Sequence, residues 1–538
     1  MTMTPKRLAI LLAAIFAVAP SIPTLAQDSQ LGRVEFQTSG SPAAQANFLR
    51  GLAALHSFWY EEALEAFREA TKADPEFMMG FWGEAMAQNH PLWSEQDTAA
   101  ARAVVAKIKD TPKLTARERA YLNAVKLLYG EGDKRSRDAA YSAAMEKIYT
   151  DYPQDLDAAA FYSLSLLGMV RSEEKSYRLQ AKAGAIALDV YQKNPSHPGA
   201  AHYIIHAFDD PEHAIIALPA ARRYADIAPA AHHARHMPSH IFLQLGMWPE
   251  AAASNESAWE VSDAWMKRKN LSPNVRDYHS LHWLLYVYLQ QGRYRKAEEL
   301  LSLMKQTMTD TTYDNKLRPG YYQNNYASMA AAFVVETERW EAANTLFTAN
   351  DSNSAKGEAM GSHSHGMSTT VTDATLRTSD RGQRLPMLIL GLAAARKGTI
   401  TSSQMQESSD IGEIEVAAVA ASVKTDHDAA IRLMTKAVEL EDKLGPPSGP
   451  PGLIKPPHEL FAELLLRAGK PAEAAEQFRL SLLRQPNRAR SLIGAARAAA
   501  KSGDRVAASS LYQKFLAQWQ QADADLPELK EAKDYLKQ

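Results

Sequence analysis

Small and aromatic residues return along this chain at a spacing of 34 residues, and that recurrence limits its possible folds more than composition does. With Ala44 as position 1, Gly51 falls at position 8, Tyr60 at 17, Ala63 at 20, Phe67 at 24, Ala70 at 27 and Pro75 at 32. A unit from Met78 sets Phe81 and Ala85 in matching places. A unit from Pro198 ends with Pro229 at position 32 and runs without a gap into a unit from His232, with Gly246, Trp248 and Ala251. Further units start at Tyr278 (Leu284, Tyr288, Gly292, Tyr294, Ala297), Asn324 (Trp340, Ala343, Phe347), Lys455 (Gly469, Ala474, Phe478, Pro486) and Ala489 (Gly503, Ala508, Tyr512). Within each unit the apolar residues step by three and four, which predicts helices. The alternation of period two that marks strands is nearly absent. A unit this short cannot bury its own apolar face, so neighbours must stack.

The pattern resembles the tetratricopeptide repeat. The resemblance implies an all-α solenoid of antiparallel helix pairs forming a right-handed superhelix, in an exported bacterial protein of that type. It also implies that positions 2, 5, 9 and 13 of each first helix line a concave inner groove. On this reading residues 27–111 are N-terminal repeats and 112–197 are irregular helical repeats. Residues 198–348 are central histidine-rich repeats and 384–538 are C-terminal repeats. Residues 349–383, polar and rich in Gly, Ser and Thr, are expected to form a flexible loop carrying His363 and His365. The run Gly445-Pro446-Pro447-Ser448-Gly449-Pro450-Pro451 cannot be helical and is expected to be a stiff surface connector.

Lys6 and Arg7 precede an apolar run from Leu8 to Val18, then Pro20 and the small-residue ending Thr24-Leu25-Ala26. That order is the grammar of a secretory signal over residues 1–26, and it predicts a soluble periplasmic or secreted protein with no membrane insertion after cleavage. With 60 basic against 62 acidic side chains and a pI near 6.8, no strong field steers the chain to nucleic acid. The basic residues Arg484, Arg488, Arg490, Arg497, Lys501 and Arg505 lack interleaved aromatics and are expected to be a solvated helical face. There is no cysteine, which excludes disulfides, thiolate metal sites and thiol nucleophiles.

Histidine is the outlier. Ten of the 16 lie between His197 and His282, at matching repeat positions. His202 and His206 take positions 5 and 9 of one unit; His233, His236 and His240 take 2, 5 and 9 of the next; His279 and His282 take 2 and 5 of a third. His56 and His90 fall at position 13. Steps of three and four return to one helix face, so these rings form a stripe on the implied groove. Pairs so spaced present two imidazole nitrogens to one ion, and all-nitrogen ligation suits Zn, Cu, Ni or Fe rather than Ca or Mg. The ligand pool is His202, His206, His236, His240, His279 and His282. Pro238, between His236 and His240, threatens that pair's helical geometry and sets His232, His233 and His236 toward a turn.

Asp209, Asp210 and Glu84 are candidates to orient imidazoles through their second N–H, although Asp209-Asp210-Pro211 also reads as a helix start. The alternative function is a metal-free scaffold that holds a peptide, protein or small molecule in the groove, with Tyr321, Tyr322, Asn324 and Asn325 extending it. A metalloenzyme would need an open coordination position and nearby acid, base or anion-binding groups, for which Glu459, Glu463 and Arg235 are the candidates. The sequence has no His-Glu-x-x-His, Gly-x-Ser-x-Gly, phosphate loop or dinucleotide fingerprint, so whether it is catalytic stays open here.

Overall fold

Aspartate, serine and threonine side chains start many of the helices. Ser41 caps Pro42–His56, Asp97 caps Thr98–Val105 and Asp155 caps Leu156–Gly168, each accepting a backbone N–H from the first turn. Thr115 and Glu118 form a reciprocal capping box at Ala116–Leu128. Prolines stand in the first turn of Pro198–Ala207, Pro457–Arg467 and Pro471–Arg484, where the missing N–H costs nothing. A computed structural model describes residues 30–171, 176–309, 320–347, 378–400, 408–445, 447–450 and 452–538. Residues 1–26, 349–377 and both His363 and His365 lie outside the described residues. The rest of the expected loop, 378–383, belongs to the helix Thr378–Arg396.

The helices form consecutive antiparallel pairs, as the tetratricopeptide resemblance implies, and the molecule is an all-α solenoid. The pairs Pro42–His56 with Tyr60–Ala73, Pro198–Ala207 with Ala214–Ile227, Tyr278–Gln290 with Tyr294–Thr309 and Ala489–Lys501 with Arg505–Gln518 follow the sequence units. The irregular stretch 112–197 holds two more pairs, Ala116–Leu128 with Lys134–Asp151 and Leu156–Gly168 with Arg178–Lys193. Gly83 faces Phe67 so closely that a Cβ would meet the ring at 2.3 Å, which is why the small and aromatic positions recur together. Among the described residues no helix is long and apolar enough to cross a membrane.

Position 15 of the repeat has a backbone reason. Gly246, Gly292, Gly469 and Gly503 all sit there with positive φ, between the two helices of a pair. In each case the next residue's N–H reaches back five residues to close the turn, as in Met247 to Phe242 and Arg293 to Tyr288. The same turn in the first pair carries Phe58, at φ +53°. The second unit departs from the pattern: after Met78–Met86 the chain forms a two-residue antiparallel ladder, Asn89–His90 with Glu95–Gln96. His90 therefore lies on a strand and stacks on Tyr60, not on the helical stripe expected for position 13.

Buried apolar side chains gather into two cores. One runs from Leu31 to Ile241 and includes Trp265; the other runs from Phe242 to Ala532. The late repeats fold back on the second core: Trp248 Nε1 donates to the Asn487 carbonyl (2.9 Å), and Asp523 N–H to that of Gly292 (3.0 Å). This closure corrects the solvated-face reading for Arg488 and Arg490, whereas Lys501 and Arg505 are exposed as expected. Arg488 is fully buried, paired with Glu459 and Glu336 at 2.7 Å each, and it donates to Tyr286 Oη. Arg490 is buried against Glu528 and Glu338. A helix that looks amphipathic in isolation is enclosed on its charged side by a repeat about 200 residues earlier.

Candidate metal centre

The histidine-rich segment lies where the chain passes from one core to the other, between Ile241 and Phe242. His232–His236 and Pro238–Gln244 are both helical, and Met237 between them keeps helical dihedrals (φ −54°, ψ −35°). Pro238 does not remove His236 and His240 from one face. The interruption frees carbonyls instead, and Ser254 Oγ donates to those of Arg235 (2.6 Å) and His236 (3.2 Å).

Three groups of side chains bring ligand atoms within 4.8 Å of one another: His236/His240/His279, His202/His206/His233 and His56/Asp157/His197. Their hydrogen bonds separate them. In the first group His236 Nδ1 donates to Asn255 Oδ1 (2.7 Å), and Asn255 is oriented by its own Nδ2 donating to the Ala251 carbonyl (2.8 Å). His240 Nδ1 donates to Asp209 Oδ2 (2.6 Å). With both Nδ1 atoms acting as donors, rings that carry no second proton turn bare Nε2 lone pairs toward each other across 3.2 Å. Two lone pairs so placed repel unless a cation lies between them. A tetrahedral ion with 2.0–2.1 Å bonds would hold its nitrogens about 3.3–3.4 Å apart. Trp283 packs beside all three rings, at 4.9 Å from His236, 4.2 Å from His240 and 5.6 Å from His279.

In the second group His202 Nδ1 donates to the His56 carbonyl (2.7 Å), leaving its Nε2 3.1 Å from that of His206. His233 Nε2 is buried without a hydrogen-bond partner. In the third group both ring nitrogens of His56 are taken by hydrogen bonds, whereas His197 Nε2 makes none and only approaches Asp157. His56 Nε2 donates to Asp157 Oδ1 (2.9 Å) while its Nδ1 accepts from Tyr203 Oη (2.9 Å). His197 Nδ1 accepts from Ala200 N–H as a helix cap, which turns its Nε2–H toward Asp157 Oδ1 at 3.4 Å. This third cluster is a hydrogen-bonded brace under the helix Pro198–Ala207.

Burial lowers the proton affinity of these rings, and neighbouring imidazoles add to it. His202 is brought down to about 3 and His236 to about 4, and His206, His233 and His279 fall well below the ordinary value of 6.5. The rings are therefore neutral at pH 7, the form that ligates. Burial alone would raise the Asp157 carboxyl, but His197 and His56 beside it hold it well below the usual carboxylate range. His206 and His279 are the partly exposed members of their groups.

Of the six ligands read from the sequence, His202, His206, His236, His240 and His279 join one group or the other. His282, one turn beyond His279 and half-buried, lies outside both. His233, outside that ligand pool, joins His202 and His206; its position 2 matches that of His279 and is the sequence signal for it. Asp209 orients an imidazole as anticipated. Asp210 also holds an imidazole, that of His213 (Nδ1 at 2.9 Å), outside the three groups, while accepting from the Glu212 and His213 N–H groups at the head of a turn; Glu84 pairs with Thr71 and Arg68. Asn255 and Trp283 had no signal in the sequence, since one comes from the following helix and the other lies at an ordinary apolar position.

The three candidates for chemistry each have structural partners. Glu459 is fully buried between Arg488 and Lys455, and Glu463 pairs with Lys455. Arg235 braces backbone and side chain, donating to the Pro229 carbonyl (2.7 Å) and Ser257 Oγ (2.8 Å). The proline connector is not a plain surface loop. Pro447 accepts from Gln244, which also holds Asp209, and a Cβ on Gly449 would meet Trp283 at 2.7 Å.

Among solved structures the chain is similar to a tetratricopeptide repeat protein from Parabacteroides merdae, with 14% identity over 57% of this chain and 97% of that one and a TM-score of 0.28. It is also similar to the anaphase-promoting complex hetero-tetramer Cut9–Hcn1, with 12% identity, 92% and 76% coverage and a TM-score of 0.35. A third is yeast Tom70, with 13% identity, 92% and 88% coverage and a TM-score of 0.27. No family model matches the chain, and no curated protein does.

Proposed function

We propose that this chain binds a transition-metal ion through the Nε2 atoms of His236 and His240 and a ring nitrogen of His279. One observation carries the reading: two Nε2 lone pairs face each other at 3.2 Å because Asn255 and Asp209 take both Nδ1 protons. A proton shared between the two rings would also relieve that repulsion, but it gives no part to the third nitrogen. An ion uses all three. The all-imidazole set favours Zn, Cu, Ni or Fe, and three protein ligands would leave a further coordination position open. The signal read from residues 1–26 suits an exported metal protein, and ligation without thiols suits an oxidising compartment.

The test is elemental mass spectrometry on the full chain, expressed without a His-tag and purified without chelator. At least one equivalent of metal is expected in the wild type, reduced in the His236→Ala, His240→Ala double variant, with circular dichroism confirming that the variant is folded. Absence of metal in the wild type, before and after reconstitution with Zn, Cu, Ni and Fe, would overturn the reading and favour a metal-free peptide-binding groove.

A further inference from the structure

We infer that His202, His206 and His233 hold a second ion, so that the two histidine triads form one dinuclear, all-imidazole centre. This rests on the metal reading of the first triad, and three observations on the second triad carry it.

The first is an unsatisfied ligand. His233 Nε2 is buried and lacks a hydrogen-bond partner, and a ring nitrogen of His233 lies within 4.8 Å of ligand nitrogens of both His202 and His206. A buried ring nitrogen left unpaired is costly and uncommon. His202 has its Nδ1 tied to a carbonyl, so its Nε2 faces the same point with a lone pair. The second is adjacency. His233 and His236 share one five-residue helix with ring centroids 5.9 Å apart, and His206 meets His240 edge-on at 5.8 Å. Each triad thus touches the other through two pairs of rings, and ions in the two would be near neighbours.

The third is Phe58. At position 15, where Gly246, Gly292, Gly469 and Gly503 relieve the turn, Phe58 is held in a left-handed conformation. Its ring lies against all three histidines, at 4.3 Å from His202, 5.9 Å from His206 and 5.6 Å from His233. Backbone strain of this kind persists where the surroundings impose it, and here it covers the second triad with an apolar wall. On its other side Phe58 lines an apolar crevice with Leu55, Met86, Leu128 and Phe161.

Neither triad includes a carboxylate. Asp209 acts one step back, on His240 Nδ1, and Asp277 bonds His232, which belongs to neither triad. Two divalent ions would then lack first-contact anionic ligands from the protein, and a small anion is the class of ligand that would bridge them.

Cu(II) serves as the probe, because each ion carries one unpaired electron. The metal-free full chain is loaded with excess Cu(II), desalted, and measured for bound copper and for its electron paramagnetic resonance spectrum, with and without azide. Two equivalents are expected. Their integrated spin should fall below the copper content, or a half-field transition should appear, and azide should change the spectrum. His206→Ala and His233→Asn should each bind one equivalent with a full, uncoupled signal, and far-UV circular dichroism checks their folding. One equivalent in the wild type, or two that behave as isolated spins, would overturn the dinuclear centre and leave the single site standing. No bound copper at all, after Zn, Ni and Fe also fail, would overturn the metal reading itself.

Discussion

Asp209 offers a sharp test of the site, because its loss should weaken metal binding more than it weakens the fold. Its Oδ2 accepts the Nδ1 proton of His240 at 2.6 Å, and both side chains are only 10% exposed. In Asp209→Ala the His240 proton is no longer held on Nδ1. It can move to Nε2 and donate to His236 Nε2 across 3.2 Å, which satisfies the metal-free protein and blocks the ion's position. Loss of a carboxylate that orients a metal-ligating histidine costs about 10- to 100-fold in affinity, equivalent to about 1.4–2.8 kcal/mol. Gln244 keeps its bond to the Pro447 carbonyl, so the connector should stay in place. The metal-free variant should thus lose less than the about 1.5–3 kcal/mol typical of a hydrogen bond to a charged group. Competition titration against a chromophoric chelator gives the affinity, and guanidinium denaturation gives the stability. Asp209→Asn, whose amide oxygen can still accept from Nδ1, should lie between the alanine variant and the wild type. Affinity within threefold of the wild type in Asp209→Ala would refute the tautomer argument, whatever the change in stability.

Acid should destabilise the metal-free chain early. His56, His202 and His236 are depressed by burial to about 4, 3 and 4, so they stay neutral in the folded state while the unfolded chain protonates them near 6.5. Their contribution is complete above about pH 6.5 and is lost as pH falls toward those values. Near pH 5 these three groups alone give a slope of about 4 kcal/mol per pH unit, and denaturant titrations with a flat profile from pH 6 to 4.5 would contradict it. Gly199→Ala places a Cβ 2.4 Å from His56 Nδ1, at the base of the helix that carries His202 and His206. It should cost about 1–3 kcal/mol by overpacking and lower metal occupancy as well; an unchanged melting temperature would count against this packing. Phe58→Gly removes a buried ring, normally about 3–5 kcal/mol, but relieves about 1–2 kcal/mol of left-handed strain. A net loss of about 1–4 kcal/mol is expected in denaturant, and the full cost of an unstrained phenylalanine would show that the turn stores no strain.

The repeat period, the helix starts and the alignment of histidines on matching positions are all local or periodic properties, so the sequence determined them. The spacing of Gly246, Gly292, Gly469 and Gly503 marked the turns because each needs a positive φ that follows from chain geometry alone. Five of the six proposed ligands were legible for the same reason, since steps of three and four put rings on one face wherever the helix later packs.

Distance in sequence hid the rest. Residues 489–505 looked amphipathic and solvated, yet Arg488 at their head is buried against Tyr286 and Glu336, which only the closure of the late repeats brings near. Glu459 is likewise taken up, between buried Arg488 and Lys455. The division of the histidines into two triads and a separate brace was also a tertiary decision. It depends on which Nδ1 protons find acceptors, and those acceptors come from elsewhere: Asn255 on the next helix, Asp209 beyond the previous one, Asp157 some hundred residues away from His56. Periodicity chose the face on which the rings stand; the hydrogen bonds behind them decided which nitrogens are left to bind.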